Sequence, residues 1–143
     1  MNALADYKEA SNLFIYLFIF LLGSLSCEVS WKKPPTGVYK INFDRATTDD
    51  GRCSSIGLVI RDFRGEVVIA LCRVLQGNFS MDETKVLVVE EGILLAKEMG
   101  LHHITIESDS LYVVQRILSK EVKGEMGHIV QGILTLLEWF SSW

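Results

Sequence analysis

The order in which the hydrophobic period changes along this chain constrains its fold more than any other sequence feature. Residues 38–43 alternate apolar and polar side chains in steps of two, which is the period of a strand. Two further apolar stretches, residues 53–61 and 66–73, flank a short polar turn that contains Gly65, and such a pair is typical of a β-hairpin. Three consecutive strands are therefore predicted.

Beyond residue 80 the period becomes helical. The apolar positions of residues 81–99 recur every three or four residues, with Asp82 as the predicted N-cap and Gly100 as the stop. A buried strand is predicted at residues 103–107, and two more helices follow. These are a helix from Ser108-Asp109 through Leu118 and, after Gly124, an amphipathic helix over about 126–140. The order β-β-β-α-β-α-α predicts one α/β domain.

The first thirty residues do not share this pattern. Residues 13–22 are an uninterrupted apolar run that continues weakly to Cys27, which is shorter than the roughly 20 residues of a membrane-spanning helix. The run is typical of the apolar region of a signal peptide, but no positive segment precedes it. An export signal, a membrane anchor and an extension from a truncated or fused reading frame are all compatible with it. Since Pro34-Pro35 forbid a helix across the join, we place the boundary there and predict domains at 1–30 and 31–143.

Composition narrows the function classes. The chain has 14 Lys and Arg against 18 Asp and Glu, so its net charge of −4 gives no long-range attraction to nucleic acid. Cys27, Cys53 and Cys72 have no spacing typical of a disulfide framework or a zinc site. This favours an intracellular, reducing location, with secretion or membrane anchoring through residues 13–27 as the alternative.

Two carboxylates stand where predicted strands end, Asp44 after residues 38–43 and Asp109 after residues 104–108. Carboxylates at strand ends can meet at one edge of a sheet, and such clusters bind the hard divalent cations used in phosphoryl chemistry. Each residue also has a purely structural interpretation. Asp44 could belong to a turn, and Asp109 could be the N-cap of the following helix.

The chain from Trp31 to Trp143 resembles a ribonuclease H type 1 domain, of the kind widespread in plant genomes and often derived from non-LTR retroelements. Four stretches in the expected order and spacing carry the resemblance, namely residues 31–44, 56–65, 91–100 and 106–110. The resemblance implies an α/β, ribonuclease H-like three-layer fold. In that fold the first three strands of a mixed central sheet are antiparallel, the fourth is parallel to the first, and helices lie on the sheet's faces. The family's last strand and final helix are expected to be missing, because Trp143 falls where the fifth strand would start.

The resemblance also implies hydrolysis of the RNA strand of an RNA–DNA hybrid by two Mg²⁺ ions. Asp44 and Asp109 correspond to two of the family's metal-binding carboxylates. The glutamate expected seven residues before Gly92 is replaced by Lys85, and the glycine expected after Asp44 is replaced by Arg45. None of the neighbouring glutamates is an easy substitute at helical spacing; these are Glu83, Glu90 and Glu91.

We therefore expect a nucleic-acid-binding, ribonuclease H-like domain whose hydrolytic activity is weak or absent, and Lys85 opposes the Mg²⁺ that the family implies. The alternatives are a non-catalytic interaction module and a fragment tethered to a membrane through residues 13–27. Three histidines are expected at strand edges or on the surface rather than as ligands, namely His102, His103 and His128. Three aromatic residues near the end could form a base-stacking platform but better suit one side of the last helix, namely Trp139, Phe140 and Trp143.

Overall fold

The computed structural model describes residues 32–47, 53–76 and 79–143, with the backbone alone for residues 44–47, 53, 54 and 76. Within these ranges the chain forms four strands and three helices in the predicted order. The elements are β1 (Tyr39–Thr47), β2 (Cys53–Arg61), β3 (Val67–Gln76), α1 (Met81–Glu98), β4 (Ile104–Glu107), α2 (Leu111–Ser119) and α3 (Gly127–Leu137).

The four described strands form one mixed sheet in the order β3-β2-β1-β4. The neighbours β1–β2 and β2–β3 are antiparallel, and β4 is parallel to β1. The β2–β3 connection is a tight turn in which the Asp62 side chain accepts hydrogen bonds from the backbone N–H groups of Arg64 and Glu66, at 2.9 and 3.0 Å. Gly65 has a φ of 84°, which explains why a glycine stands in this turn. The predicted hairpin and the mixed sheet are confirmed.

Strand β1 is longer than predicted, because it continues through Asp44 to Thr47 instead of ending at Asp44. Its pairing with β2 runs on to Thr47 beside Ser54, whereas its pairing with β4 stops at Asn42 beside Glu107. The antiparallel pairing keeps the strand extended after β4 has ended. Asp44 therefore lies within β1, at a level that β4 no longer reaches.

The N-terminus of α1 is capped by Ser80, so the predicted cap at Asp82 is wrong. The Ser80 hydroxyl accepts a hydrogen bond from the Glu83 N–H at 3.1 Å, and the Ser80 N–H donates to the Glu83 carboxylate at 2.8 Å. This reciprocal pair is a capping box, and it satisfies two backbone donors that the helix leaves unpaired. Asp82 lies in the first turn, where its charge favours the positive end of the helix dipole.

The core lies between one face of the sheet and the helices. Gly92 of α1 sits directly over Phe43 and Ile41 of β1, close enough that a β-carbon there would collide with the Phe43 ring. Helix α3 packs on α1 and buries Ile133 and Leu137, and the buried residues of all three described helices form one cluster with the sheet. In the described ranges, α1, α2 and α3 lie on the same side of the sheet.

The predicted apolar extension at residues 1–30 lies outside the described residues. Among the helices of residues 32–47, 53–76 and 79–143, none is both long enough and apolar enough to cross a bilayer.

Candidate functional site at the ends of β1 and β4

The register between β1 and β4 brings the positions of Asp44 and Asp109 to the same edge of the sheet. Tyr39 lies beside Ile104 and Asn42 beside Glu107, so each β1 residue is next to the residue 65 positions later in the chain (104 − 39 = 107 − 42 = 65). The pairing stops at Asn42 and Glu107, so Asp44 and Asp109 each lie two residues beyond the last pair, at the same end of the two strands.

Asp109 is exposed in the bend between β4 and α2. The N-cap of α2 is Ser110, whose hydroxyl accepts from the Val113 N–H at 3.4 Å, and the Ser108 hydroxyl accepts from the Ser110 N–H at 3.2 Å. Interpreting Asp109 as the helix cap is therefore wrong. Its carboxylate forms no ion pair with any described side chain and remains available to solvent or a ligand.

Lys85 lies on the α1 face that is directed at β1, toward the same edge. Helix α1 runs antiparallel to β1, because the chain leaves α1 at Glu98 and enters β4 beside Tyr39, at the start of β1. Lys85 precedes Gly92 by seven residues, which is a rotation of only about 20° and a rise of about 10.5 Å along the axis. Since Gly92 contacts Phe43, this displacement carries Lys85 toward the end of β1. The lysine is half-buried there.

The three glutamates that neighbour Lys85 in sequence are engaged elsewhere. Glu83 completes the capping box with Ser80. Glu91 forms an ion pair with Arg73 of β3. Glu90 is directed at α3, where one of its carboxylate oxygens lies 3.0 Å from the β-carbon position of Gly132.

Glu90 is half-buried beside α3. Burial raises the pKa of Glu90, the positive charge of His128 partly opposes this, and the negative charge of Glu91 adds to it. A carboxylate that interacts with α3 in this way is not positioned to bind a cation at the edge beside Asp109. No glutamate of α1 thus replaces the carboxylate expected at position 85.

A second lysine neutralises the remaining carboxylate of β4. The Lys40 ammonium lies 2.8 Å from the Glu107 carboxylate and donates to the Lys32 carbonyl oxygen at 2.5 Å. The Lys40 side chain is 9% exposed, whereas that of Glu107 is 50% exposed. Glu107 is therefore paired two residues before Asp109, and this contact has no local signal in the sequence.

The donor set does not fit a site for two magnesium ions. Among the side chains that the structure describes, no group of three or more His, Cys, Asp or Glu residues could hold a metal; the Asp44 side chain lies outside that search. Mg²⁺ needs oxygen ligands in near-octahedral geometry. The edge offers the positions of two carboxylates and the ammonium of Lys85, which repels a cation.

The aromatic residues near the end of the chain do not form a three-ring platform. Phe140 is buried in the core, with 6% of its surface exposed. Trp139 stacks on His102, with the ring centroids 4.7 Å apart and the planes at 20°. His103 forms a 2.8 Å hydrogen bond with the Ser142 hydroxyl, and Ser142 pairs with His103 in parallel. The expected surface positions of His102, His103 and His128 are confirmed.

Comparison with known proteins identifies the fold. A family described as reverse transcriptase-like matches residues 42–143, while no curated protein matches the sequence. The structure is similar to the RNase H1 of the halophilic archaeon Halobacterium salinarum, with a TM-score of 0.64 and 16% identity over 74% of this chain and 81% of the other. An N-terminal RNase H domain from Mycobacterium tuberculosis gives a TM-score of 0.64 and 14% identity over 73% and 77% of the two chains. An RNase H1 from a compost metagenome gives 0.60 and 13% over 71% and 76%.

Proposed function

The chain belongs to the reverse transcriptase-like family, and from this we propose that it is a ribonuclease H-like domain that binds nucleic acid, with RNA–DNA hybrids as its class of ligand. We further propose that its hydrolysis of the RNA strand is weak or absent. The ribonuclease H-like fold itself is established by the mixed sheet and by the solved RNase H domains that share it.

Two observations support this proposal. The parallel register of β1 and β4 supports a shared location for Asp44 and Asp109. Gly92 faces β1, and Lys85 lies on nearly the same side of the helix, which supports a location for Lys85 at the same edge. Two carboxylates with an ammonium carry a net charge of −1, whereas three carboxylates would carry −3. Because electrostatic attraction scales with charge, the affinity of this edge for a divalent cation is strongly reduced.

The positive charge of Lys85 suits this edge to binding a nucleic-acid phosphate. An ammonium at a nucleic-acid surface contacts a phosphate directly and releases a counterion when it does so. We therefore expect hybrid binding to persist without Mg²⁺, with Lys85 as one of the phosphate contacts. Discrimination between a hybrid and a DNA duplex would come from the shallow minor groove and its 2′-hydroxyl groups.

A binding experiment tests this directly. Fluorescence anisotropy with a labelled RNA–DNA hybrid is measured in EDTA and in Mg²⁺, across a series of salt concentrations. We expect similar affinity in both, and we expect Lys85→Ala to weaken binding and reduce the slope of log K against log [salt] by about one. The matched control is Lys97→Ala, which removes a half-buried lysine from the other end of α1 and is expected to leave the slope unchanged.

A cleavage assay tests the second half of the proposal. The same hybrid is incubated with the native protein in Mg²⁺, and the RNA strand is resolved by gel electrophoresis. We expect little or no product. Rapid Mg²⁺-dependent turnover that Asp109→Asn abolishes would contradict the proposed inactivity, whereas failure to bind the hybrid at low salt would contradict the nucleic-acid function and favour a non-catalytic protein-interaction module.

A further inference from the structure

Strand β3 forms one edge of the sheet and has few of the features that keep an edge strand from pairing with another chain. It is ten residues long and contains no proline, and Arg73 is its one charged residue. The Arg73 guanidinium forms an ion pair with Glu91 of α1, so its charge is already balanced. A register shift beside Arg61 is confined to the first residues of the strand. Edge strands are commonly short or guarded by lysine, proline or a bulge, and residues 69–76 of β3 have none of these guards.

The opposite edge of the sheet is shorter and partly covered. Strand β4 has four residues. The Ile104 N–H donates to the Ser142 carbonyl oxygen at 3.1 Å, and Ser142 pairs in parallel with His103. The end of the described chain thus begins to cover β4. Within residues 32–47, 53–76 and 79–143, no segment does the same for β3, which pairs with β2 alone.

The side chains of β3 are more exposed than those of its neighbour. Strand β2 buries five consecutive residues, Ile56–Ile60, whereas none of residues 67–75 is buried and Val74 is 52% exposed. Both strands are mainly apolar. They differ because β2 has a strand on each side and β3 has one. A further strand beside β3 would therefore remove apolar surface from water.

The backbone groups of β3 that point outward can be identified from the hydrogen bonds of the sheet. The Tyr39 N–H donates to the His103 carbonyl oxygen on the β4 side. Alternate residues of a strand bond to opposite neighbours, so Lys40 is directed at β2. The same alternation is followed through the registers of β1 with β2 and of β2 with β3. Within residues 69–75, the N–H and C=O groups that point away from β2 are those of Ala70, Cys72 and Val74. Nothing in the described part of the chain bonds to these groups.

We propose that the outer edge of β3 pairs antiparallel with β3 of a second copy of this chain, about a twofold axis at Cys72. Cys72 is the midpoint of the regular residues 69–75, so this axis pairs all seven of them. It places Ala70 opposite Val74 and Leu71 opposite Arg73 of the second copy. An axis at Arg73 would instead bring the two arginines face to face, and like charges directly opposite each other are destabilising.

The size of the shared edge sets the strength of this dimer. Three outward residues on each copy give three hydrogen-bonded pairs and about six N–H···O bonds. Seven residues form a strip about 23 Å long and about 10 Å high, or roughly 230 Å² per copy. A standard interface buries about 800 Å² per partner. The dimer is therefore weak, and it forms only at high protein concentration.

This pairing is independent of the proposed nucleic-acid function. Strands β3 and β4 are at opposite edges of the sheet, so a dimer through β3 leaves the edge with Asp109 and Lys85 open. Failure of the dimer would leave the binding and cleavage predictions unchanged.

Sedimentation equilibrium of the full chain, at concentrations up to about 0.5 mM, tests the dimer. We expect the average mass to rise from one chain toward two as the concentration increases. Val74→Pro removes an outward N–H without breaking a bond to β2, a position in which an edge strand tolerates proline, and it should abolish the rise. The matched control Val74→Thr keeps the N–H and the branched shape and should associate as the native chain does. A native chain that stays monomeric, or association that persists in Val74→Pro, would overturn the proposal.

Disulfide formation tests the position of the axis and does not depend on the proline variant. In a chain with Cys27→Ser and Cys53→Ser, mild oxidation should link two copies through Cys72, because facing residues of a hydrogen-bonded antiparallel pair have Cα atoms about 5.5 Å apart, which suits a disulfide. The control chain carries Cys72→Ser and Val74→Cys as well. Its two cysteines would lie about 13 Å apart across the axis and should not be linked. Equal linking of the two chains, or no linking through Cys72, would contradict the proposed pairing.

Discussion

Replacing Lys85 by glutamate should increase the affinity of the proposed site for Mg²⁺. Taking about 6 Å between the ammonium and a divalent cation, the repulsion is about 1.4 kcal/mol in bulk water and about 5.5 kcal/mol at an effective dielectric of 20. Lys85 is half-buried, so the value lies between these limits. Reversing the charge removes the repulsion and adds an attraction of similar size. Even at the lower limit, the affinity should therefore rise by about a hundredfold.

Isothermal titration calorimetry of the purified full chain with MgCl₂ measures this change. The matched control is Lys97→Glu, which makes the same charge reversal at a half-buried lysine of the same helix. Position 97 is twelve residues from position 85, or about 18 Å along the axis, so screening by salt removes most of its influence. We expect strong binding for Lys85→Glu and little change for Lys97→Glu.

Two results would refute the reasoning. Equal gains for both variants would mean that Mg²⁺ responds to net charge and not to a local site. No gain for Lys85→Glu, in a protein whose folding is intact by circular dichroism, would mean that position 85 does not face the edge that carries Asp109. Adding Asp109→Asn to Lys85→Glu provides a further check, because it should cancel most of the gain.

Three further predictions concern stability and are measured by thermal or chemical unfolding. Gly92→Ala should destabilise the protein by about 1–3 kcal/mol, because the new β-carbon would collide with the Phe43 ring. In Gly132→Ala the new β-carbon meets only the flexible end of the Glu90 side chain. This variant should therefore be neutral or more stable by up to about 1 kcal/mol. A larger loss at Gly132 than at Gly92 would contradict this packing. Ser80→Ala should cost about 1 kcal/mol through loss of the capping box, and an unchanged midpoint would show that the cap contributes nothing. The pKa of Glu90 is raised in the folded protein, so ionisation of this carboxyl group opposes folding, and the stability falls as the pH rises through that pKa. Glu90→Gln should therefore increase the stability at about pH 7.5. The variant should lose this advantage at about pH 3.5, where Glu90 is protonated.

The elements that depend on local patterns could be predicted from the sequence. Strand β2 has the predicted bounds, Cys53–Arg61, and α1 ends one residue before the predicted Met99. The turn at Gly65 requires a positive φ, which a glycine signals directly. These features are set by residues that are close in sequence.

The features that depend on distant residues could not be predicted in the same way. The alternating pattern predicts that β1 ends at Asp44, but the length of a strand depends on its partner, and pairing with β2 extends β1 to Thr47. The Lys40–Glu107 ion pair joins residues 67 positions apart (107 − 40) and left no local pattern. The capping box is different, because Ser80-x-x-Glu83 is a local sequence signal that itself indicates a cap at Ser80 and not at Asp82.

The contacts that hold α1 on the sheet are separate from the charged groups of the candidate site. Helix α1 is held on β1 by Gly92 against Phe43 and Ile41, and these contacts involve no charged group. In the site that we propose, two carboxylates about 5 Å apart would repel each other by about 0.8 kcal/mol in water and by more where water is excluded. A third carboxylate would add to this cost in the absence of metal, whereas the Lys85 ammonium would offset it. Under this proposal the lysine that opposes metal binding would also favour the metal-free fold, and the apolar contacts at Gly92 would not change with the charge at position 85.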